Sequence, residues 1–133
     1  MARRVRIAIF ENHRDTAMLL GEFLEAEGFE PVYGPIGPFA RTLAAVRDIL
    51  TVHQPDVVLW DVDFPYLPQC KFFTAVRAEP EFGRLPVVLS TTSRPALTAA
   101  CGDIVRGLAI LQKPFLPDEL LSGIEALLRP GHA

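Results

Sequence analysis

Short apolar runs alternate along the chain with longer stretches of helical period, the pattern of βαβ units wrapped on a parallel sheet. Val5 to Phe10 is rich in β-branched residues and reads as a strand buried on both faces. From Asp15 to Glu27 the residues Ala17, Leu20, Phe23 and Leu24 recur at helical spacing, with Asp15 available as a cap and Gly28 as the left-handed residue past the end. A short second strand, Pro31 to Tyr33, runs into the Gly34 to Pro38 loop. Leu43, Val46, Ile49 and Leu50 mark a second helix that must stop by Gln54, because Pro55 cannot continue it. Asp56 to Trp60 is the third strand. The prolines at 65 and 68 make Asp61 to Gln69 a loop, and Cys70 to Ala78 a third helix. Pro86 to Leu89 is the fourth strand, Ser93 caps a fourth helix near Pro95, and Leu108 to Leu111 is the fifth strand. A last helix starts at Pro117 with Leu120, Leu121, Ile124, Leu127 and Leu128 inward; Leu116 at its cap offers no side-chain acceptor, which Asp118 and Glu119 offset through the helix dipole. The expectation is an α/β, three-layer, doubly wound sheet of five parallel strands with five helices, one domain over residues 1–133.

Composition narrows the class. The 133 residues carry 13 basic and 16 acidic side chains, so nothing draws the chain to nucleic acid or to an acidic membrane surface. The basic start at Arg3, Arg4 and Arg6 precedes too short an apolar run for a signal peptide or a membrane span, so a cytoplasmic protein is expected. Cys70 and Cys101, with no CxxC pair and no Cys/His cluster, read as two buried thiols in a reducing compartment, neither a disulfide framework nor a zinc site. Among the 13 cations only Lys71 and Lys113 are lysines.

Ligand sites of open α/β sheets lie beyond the carboxyl ends of the strands, near the point where strand order reverses. The predicted strand ends bring Glu11 and Asn12, Asp61, Ser90 and Thr91, and Lys113 to that edge. Carboxylate and amide oxygens suit magnesium, a hard cation that keeps several waters. A carboxylate such as Asp61 also serves as the nucleophile in phosphoryl transfer, with a lysine as point charge and a hydroxyl donating to a phosphoryl oxygen. His13 reads as solvent-facing, and His53 and His132 show no partners.

These residues and spacings resemble the receiver domain of two-component response regulators over essentially the whole chain. The matching segments are PDVVLWDVDFP, LPVVLSTT and LQKPF, which place Asp61 at the phospho-accepting position, Thr91 at the hydroxyl position and Lys113 at the lysine position. The resemblance implies a flavodoxin-like sheet in the order 2-1-3-4-5 and a cis Lys113–Pro114 bond. It also implies that Asp61 accepts a phosphoryl group from a histidine kinase or phosphotransfer protein. Thr91 and Lys113 then assist, and Glu11, Asn12, Asp61 and Asp63 form the magnesium site. Such a module signals to a downstream effector or output domain. It is no enzyme beyond promoting its own phosphorylation and dephosphorylation, and it is open to homodimerisation through the fourth helix, fifth strand and fifth helix.

Several positions depart from the family. Asn12 stands where a second acid usually binds the metal, so magnesium binding should weaken, and the Asp63 carboxylate is a candidate to restore charge. Ile110 replaces the usual switch aromatic, Pro68-Gln69 replaces a common Asp-Gly, and the YGPIGPF segment looks expanded. Asn12 and Ile110 keep open a pseudo-receiver that works by protein contact alone. Two other classes fit worse. The DVD of residues 61–63 hints at haloacid-dehalogenase-like phosphotransferases, but their motif opens the domain. A flavin-binding flavodoxin needs a glycine-rich loop where this chain has ENHRDT.

Overall fold

The structure, a computed structural model, describes residues 3–37 and 41–129. Pro38 at the end of the predicted loop and His132 lie outside those residues. The elements are β1 (Arg6–Phe10), α1 (Arg14–Ala26), β2 (Glu30–Tyr33), α2 (Leu43–His53), β3 (Val57–Asp61), α3 (Tyr66–Arg77), α4 (Pro80–Gly83), β4 (Val87–Thr91), α5 (Arg94–Cys101), a 3-10 turn (Gly102–Val105), β5 (Ala109–Gln112) and α6 (Pro117–Leu128). The five strands are all parallel in the order β2-β1-β3-β4-β5, as expected.

The apolar pattern sorts the sheet into two faces. Ile7, Ile9, Val57, Leu59 and Val88 pack with Leu24 of α1 and with Leu120 and Ile124 of α6. The alternate positions Ala8, Phe10, Val58, Trp60 and Leu89 pack with Val46 and Leu50 of α2, Phe73 and Val76 of α3, and Leu97 of α5. Trp60 is the hub of this second layer, with ring centroids of Phe10, Phe73 and Phe82 at 4.7, 5.6 and 5.6 Å. Such offset and edge-on pairs favour rigid packing directly beneath the end of β3.

The helix ends follow local chemistry. Thr42 Oγ1 accepts from the Ala45 amide at 3.1 Å, and α2 closes on Gln54 in the left-handed conformation, just before Pro55. Gly28 takes φ +94° beyond α1, a conformation that favours glycine. At α6 the Leu116 amide donates to Glu119 Oε1 at 3.1 Å, which satisfies the cap residue's own N–H, while the Leu116 side chain offers no acceptor to the first-turn amides.

Four expectations need correction. His13, not Asp15, is the cap residue of α1, and it makes no side-chain cap bond; Asp15 falls in the first turn. The third helix begins at Tyr66 instead of Cys70: Pro65 is its cap and Pro68 lies in its first turn, where amides have no helical acceptor in any case. Pro80 opens the extra single turn α4, so six helices are present among the described residues and the predicted fourth and fifth are α5 and α6. Cys70 and Cys101 are joined as a disulfide that ties α3 to the end of α5. Their separation of 31 residues hides the fact that these two helices pack side by side. The Lys113–Pro114 bond is cis, and Phe64–Pro65 is cis as well. No helix among the described residues is long and apolar enough to cross a membrane.

Candidate functional site

The strand ends converge on Asp61. Its position at the end of β3, in register with Ser90 of β4, directs its carboxylate to the rim above the α1/α6 layer, and it is 1% exposed. Lys113, whose backbone N–H donates a hydrogen bond to the Thr91 carbonyl at 2.7 Å just past the end of β5, reaches back across the rim. Its Nζ lies 2.7 Å from Glu11 Oε1, 2.9 Å from Asp61 Oδ1 and 3.5 Å from Asp63 Oδ2. One ammonium therefore faces three carboxylates. Burial opposes its charge, but Asp61 and Glu11 outweigh burial and raise the lysine above its ordinary value.

The acids respond unequally. Burial pushes Asp61 up to about 7, reinforced by its hydrogen bond with Asp63 and the charge of Glu11, and Lys113 offsets only part of this. Asp63 moves the other way. Burial would raise it, but hydrogen bonds from Asp61 and Thr92 and the charge of Lys113 hold it below the usual carboxylate range. Asp63 Oδ1 accepts from the Thr92 amide at 2.7 Å, which fixes the loop after β3 to the end of β4.

The hydroxyl nearest Asp61 belongs to Ser90, whose Oγ donates to Asp61 Oδ1 at 3.0 Å. Thr91 is fully buried and turned elsewhere: its hydroxyl accepts from the Ser93 amide at 3.3 Å and sits 3.5 Å from Tyr66 Oη. The structure thus brings Asp61, Lys113, Glu11, Asn12 and Asp63 together and leaves Thr91 at one remove. Asn12 Nδ2 donates to Asp61 Oδ2 and to Gln69 Oε1, and Gln69 Oε1 also accepts from the Asp63 amide at 3.1 Å. Gln69, noted in the sequence only as a departure from Asp-Gly, is therefore the brace between Asn12 and the loop after β3. Ile110 packs, partly buried, into the Trp60 layer.

Sequence reading missed Arg41. It lies just before α2, is 5% exposed, and places its guanidinium 4.8 Å from the Trp60 ring centroid and 5.9 Å from that of Phe10. Nη1 donates to the Asp61 carbonyl at 3.4 Å. Burial lowers it to about 10 while Asp61 and Glu11 pull the other way, so it keeps its charge at neutral pH. An arginine in a loop gives no sequence signal of burial.

The rim offers oxygen donors of the kind a hard dication takes. Asn12 Oδ1 is a buried acceptor without a partner, its amide touches Asp61, and Asp61 shares Lys113 with Glu11 and Asp63, a set of oxygen donors whose chemistry fits magnesium. The group is not assembled around one empty point, because Lys113 sits among the acids and no cluster of three metal-ligating acids, histidines or cysteines forms among the described residues. Beside the rim, between α1 and α6, an apolar cavity of about 440 Å³ is lined by Leu19, Leu20, Phe23, Pro114, Phe115 and Leu120.

The fold and this acid–lysine rim define a class of doubly wound receiver-type domain. No protein-family model matches the chain. It is 30% identical over 131 residues to the DNA-binding response regulator MtrA of Mycobacterium tuberculosis, a match covering 95% of this chain and 51% of that protein. It is also 31% identical over 130 residues to the phosphate regulon transcriptional regulatory protein PhoB of Rhizobium meliloti, covering 93% and 52%. The chain spans about half the length of the curated relatives it matches. Chemotaxis protein CheY4 of Vibrio cholerae superposes with a TM-score of 0.74 at 23% identity, covering 95% of this chain and 100% of that one, which bears on the fold alone. These relatives are response regulators and the structural neighbours are CheY-like receiver domains, which supports a response regulator receiver domain.

Proposed function

We propose that residues 1–133 form one receiver domain that accepts a phosphoryl group on Asp61 from a histidine kinase or phosphotransfer protein in the cytoplasm. The observation that carries this is the convergence of Lys113 on Glu11, Asp61 and Asp63 at the carboxyl edge of the sheet. In the reaction an Asp61 carboxylate oxygen attacks phosphorus, the phosphorus–nitrogen bond of the donor's phosphohistidine breaks, and the imidazole leaves with the electron pair. Lys113 counters the incoming charge, Ser90 holds Asp61 Oδ1, and the Asn12 amide must swing off Asp61 Oδ2 for that oxygen to attack. The Thr91 hydroxyl, now shared with Ser93 and Tyr66, is the group that exchanges those partners for a phosphoryl oxygen.

Glu11, Asp61, Asp63 and the free Asn12 oxygen are the residues that would hold magnesium, which when bound neutralises charge on the transferred group. Asn12 contributes no charge, so affinity for the ion is lower than a second acid would give. The apolar cavity beside Lys113 supports docking of the phosphodonor there. Signalling onward to an effector or output domain, and pairing through α5, β5 and α6, are further parts of this reading.

A contact-only pseudo-receiver is the second reading, favoured by the Asn12 amide that covers Asp61 Oδ2. Exposure to acetyl phosphate and magnesium followed by intact mass measurement separates the two. A gain of one phosphoryl mass, lost in Asp61→Asn, supports the phosphoacceptor; no gain in the unaltered chain supports the contact module.

A further inference from the structure

Arg41 has no place in the family pattern that identifies the other rim residues, and its surroundings are incomplete. Nε and Nη2 have no hydrogen-bond partner among the described residues, although the side chain is 5% exposed. Buried ionised groups are ordinarily paired, because a desolvated charge without partners is strongly disfavoured. The faces of Trp60 and Phe10 satisfy the cation only in part, since ring contacts leave its in-plane N–H groups unused. Its one hydrogen bond, to the Asp61 carbonyl at 3.4 Å, anchors it to the residue expected to carry the phosphoryl group. Asn12 Oδ1, the orphaned acceptor, belongs to a side chain whose amide touches that same residue. The rim thus holds idle donors and an idle acceptor around Asp61.

Resting on the phosphoacceptor reading, we propose that Arg41 is a second phosphoryl-binding cation, whose idle N–H groups take oxygens of the phosphoryl group on Asp61. A phosphoryl group brings three strong acceptors, and a planar guanidinium is suited to binding two oxygens at once. The charge pattern agrees. With Asn12 in place of an acid the site has less negative charge to hold a dication, and a fixed arginine supplies positive charge that needs no ion from solution. Lys113 cannot fill this role alone, because it already serves three carboxylates.

The test uses the single tryptophan of the chain, Trp60, on which the guanidinium lies. The unaltered protein, Arg41→Gln and Arg41→Lys are exposed to acetyl phosphate and magnesium, with the labelled fraction and its decay read by intact mass and Trp60 emission read in parallel. Labelling of the unaltered chain should change Trp60 emission as the guanidinium leaves the indole. Arg41→Gln should carry at least about tenfold less adduct and show no emission change, and Arg41→Lys should fall between. An equal and equally long-lived adduct in Arg41→Gln, or unchanged Trp60 emission in the labelled unaltered chain, overturns the proposal. If Arg41→Gln shows no cooperative melt, Arg41→Lys decides alone, and adduct level and lifetime equal to the unaltered chain overturn the idea. Absence of any adduct in the unaltered chain is a separate result, which removes the phosphoacceptor reading and this proposal with it.

Discussion

Both ends of the sheet carry ion pairs, and the contrast between them shows what burial does to the same chemistry. At the amino end, Arg3 pairs with Asp56 at 3.0 Å and Arg6 pairs with Glu30, with side chains 31% to 50% exposed. Water solvates these groups whether or not they meet, so each pair contributes little. At the carboxyl end, Lys113 faces Glu11, Asp61 and Asp63, whose side chains are 2%, 1% and 11% exposed. There each charge depends on its protein partners. The amino end tolerates loss of a partner; the carboxyl end is a set of groups that must be kept in balance and that a new anion would rearrange.

Breaking the carboxyl end should have the largest effect. Lys113→Met leaves three buried acids without their cation and should lower unfolding free energy by about 3–5 kcal/mol in denaturant melts. A loss below about 1 kcal/mol would mean that the rim is better hydrated than its burial indicates. Next comes the covalent tie between α3 and α5. Reduction of Cys70–Cys101, or the Cys70→Ala/Cys101→Ala pair, frees a loop of 31 residues and should cost about 3–4 kcal/mol of stability, read as a lower denaturant midpoint.

Two smaller effects sharpen the contrast. Arg3→Ala should shift stability by less than about 1 kcal/mol, and less still at high salt, since Arg3 is half exposed. Arg41→Met should also stay within about 1 kcal/mol, despite removing a buried charge: the lost contacts to Trp60 and Phe10 are balanced by relief of two unpartnered N–H sites. Equal stability effects of removing Arg41 and Lys113 would make the two buried cations structural equivalents and would contradict the distinction between an idle cation and a paired one.

The fold was legible because its information is local. Continuous β-branched runs, helical spacing and proline stops place all five strands and the five longer helices, and the order of the sheet follows from the family resemblance. The misses have local causes too. Pro65 and Pro68 read as breakers, yet the first turn of α3 needs no amide from either. The disulfide could not be read from two isolated cysteines, since only the packing of α3 on α5 brings them together. At the site, Asp61 and Lys113 stood out as candidates because they fall at strand ends in recognisable segments, and the structure brings the two side chains together. Ser90 was one of several hydroxyls at the end of β4, and choosing among them required the register with Asp61. Arg41 was invisible, because burial of a loop residue is set by what folds over it.

The most direct measurement is to locate the modified residue. After exposure to a small phosphodonor, borohydride converts an aspartyl phosphate to homoserine, and peptide mass mapping then reads the position. Phosphoryl transfer to the end of β3 predicts homoserine at position 61 and at no other acid. Homoserine at position 63, or modification spread over several acids, would contradict the assignment of the phosphoacceptor, and a chain left unmodified throughout would contradict phosphoryl transfer itself.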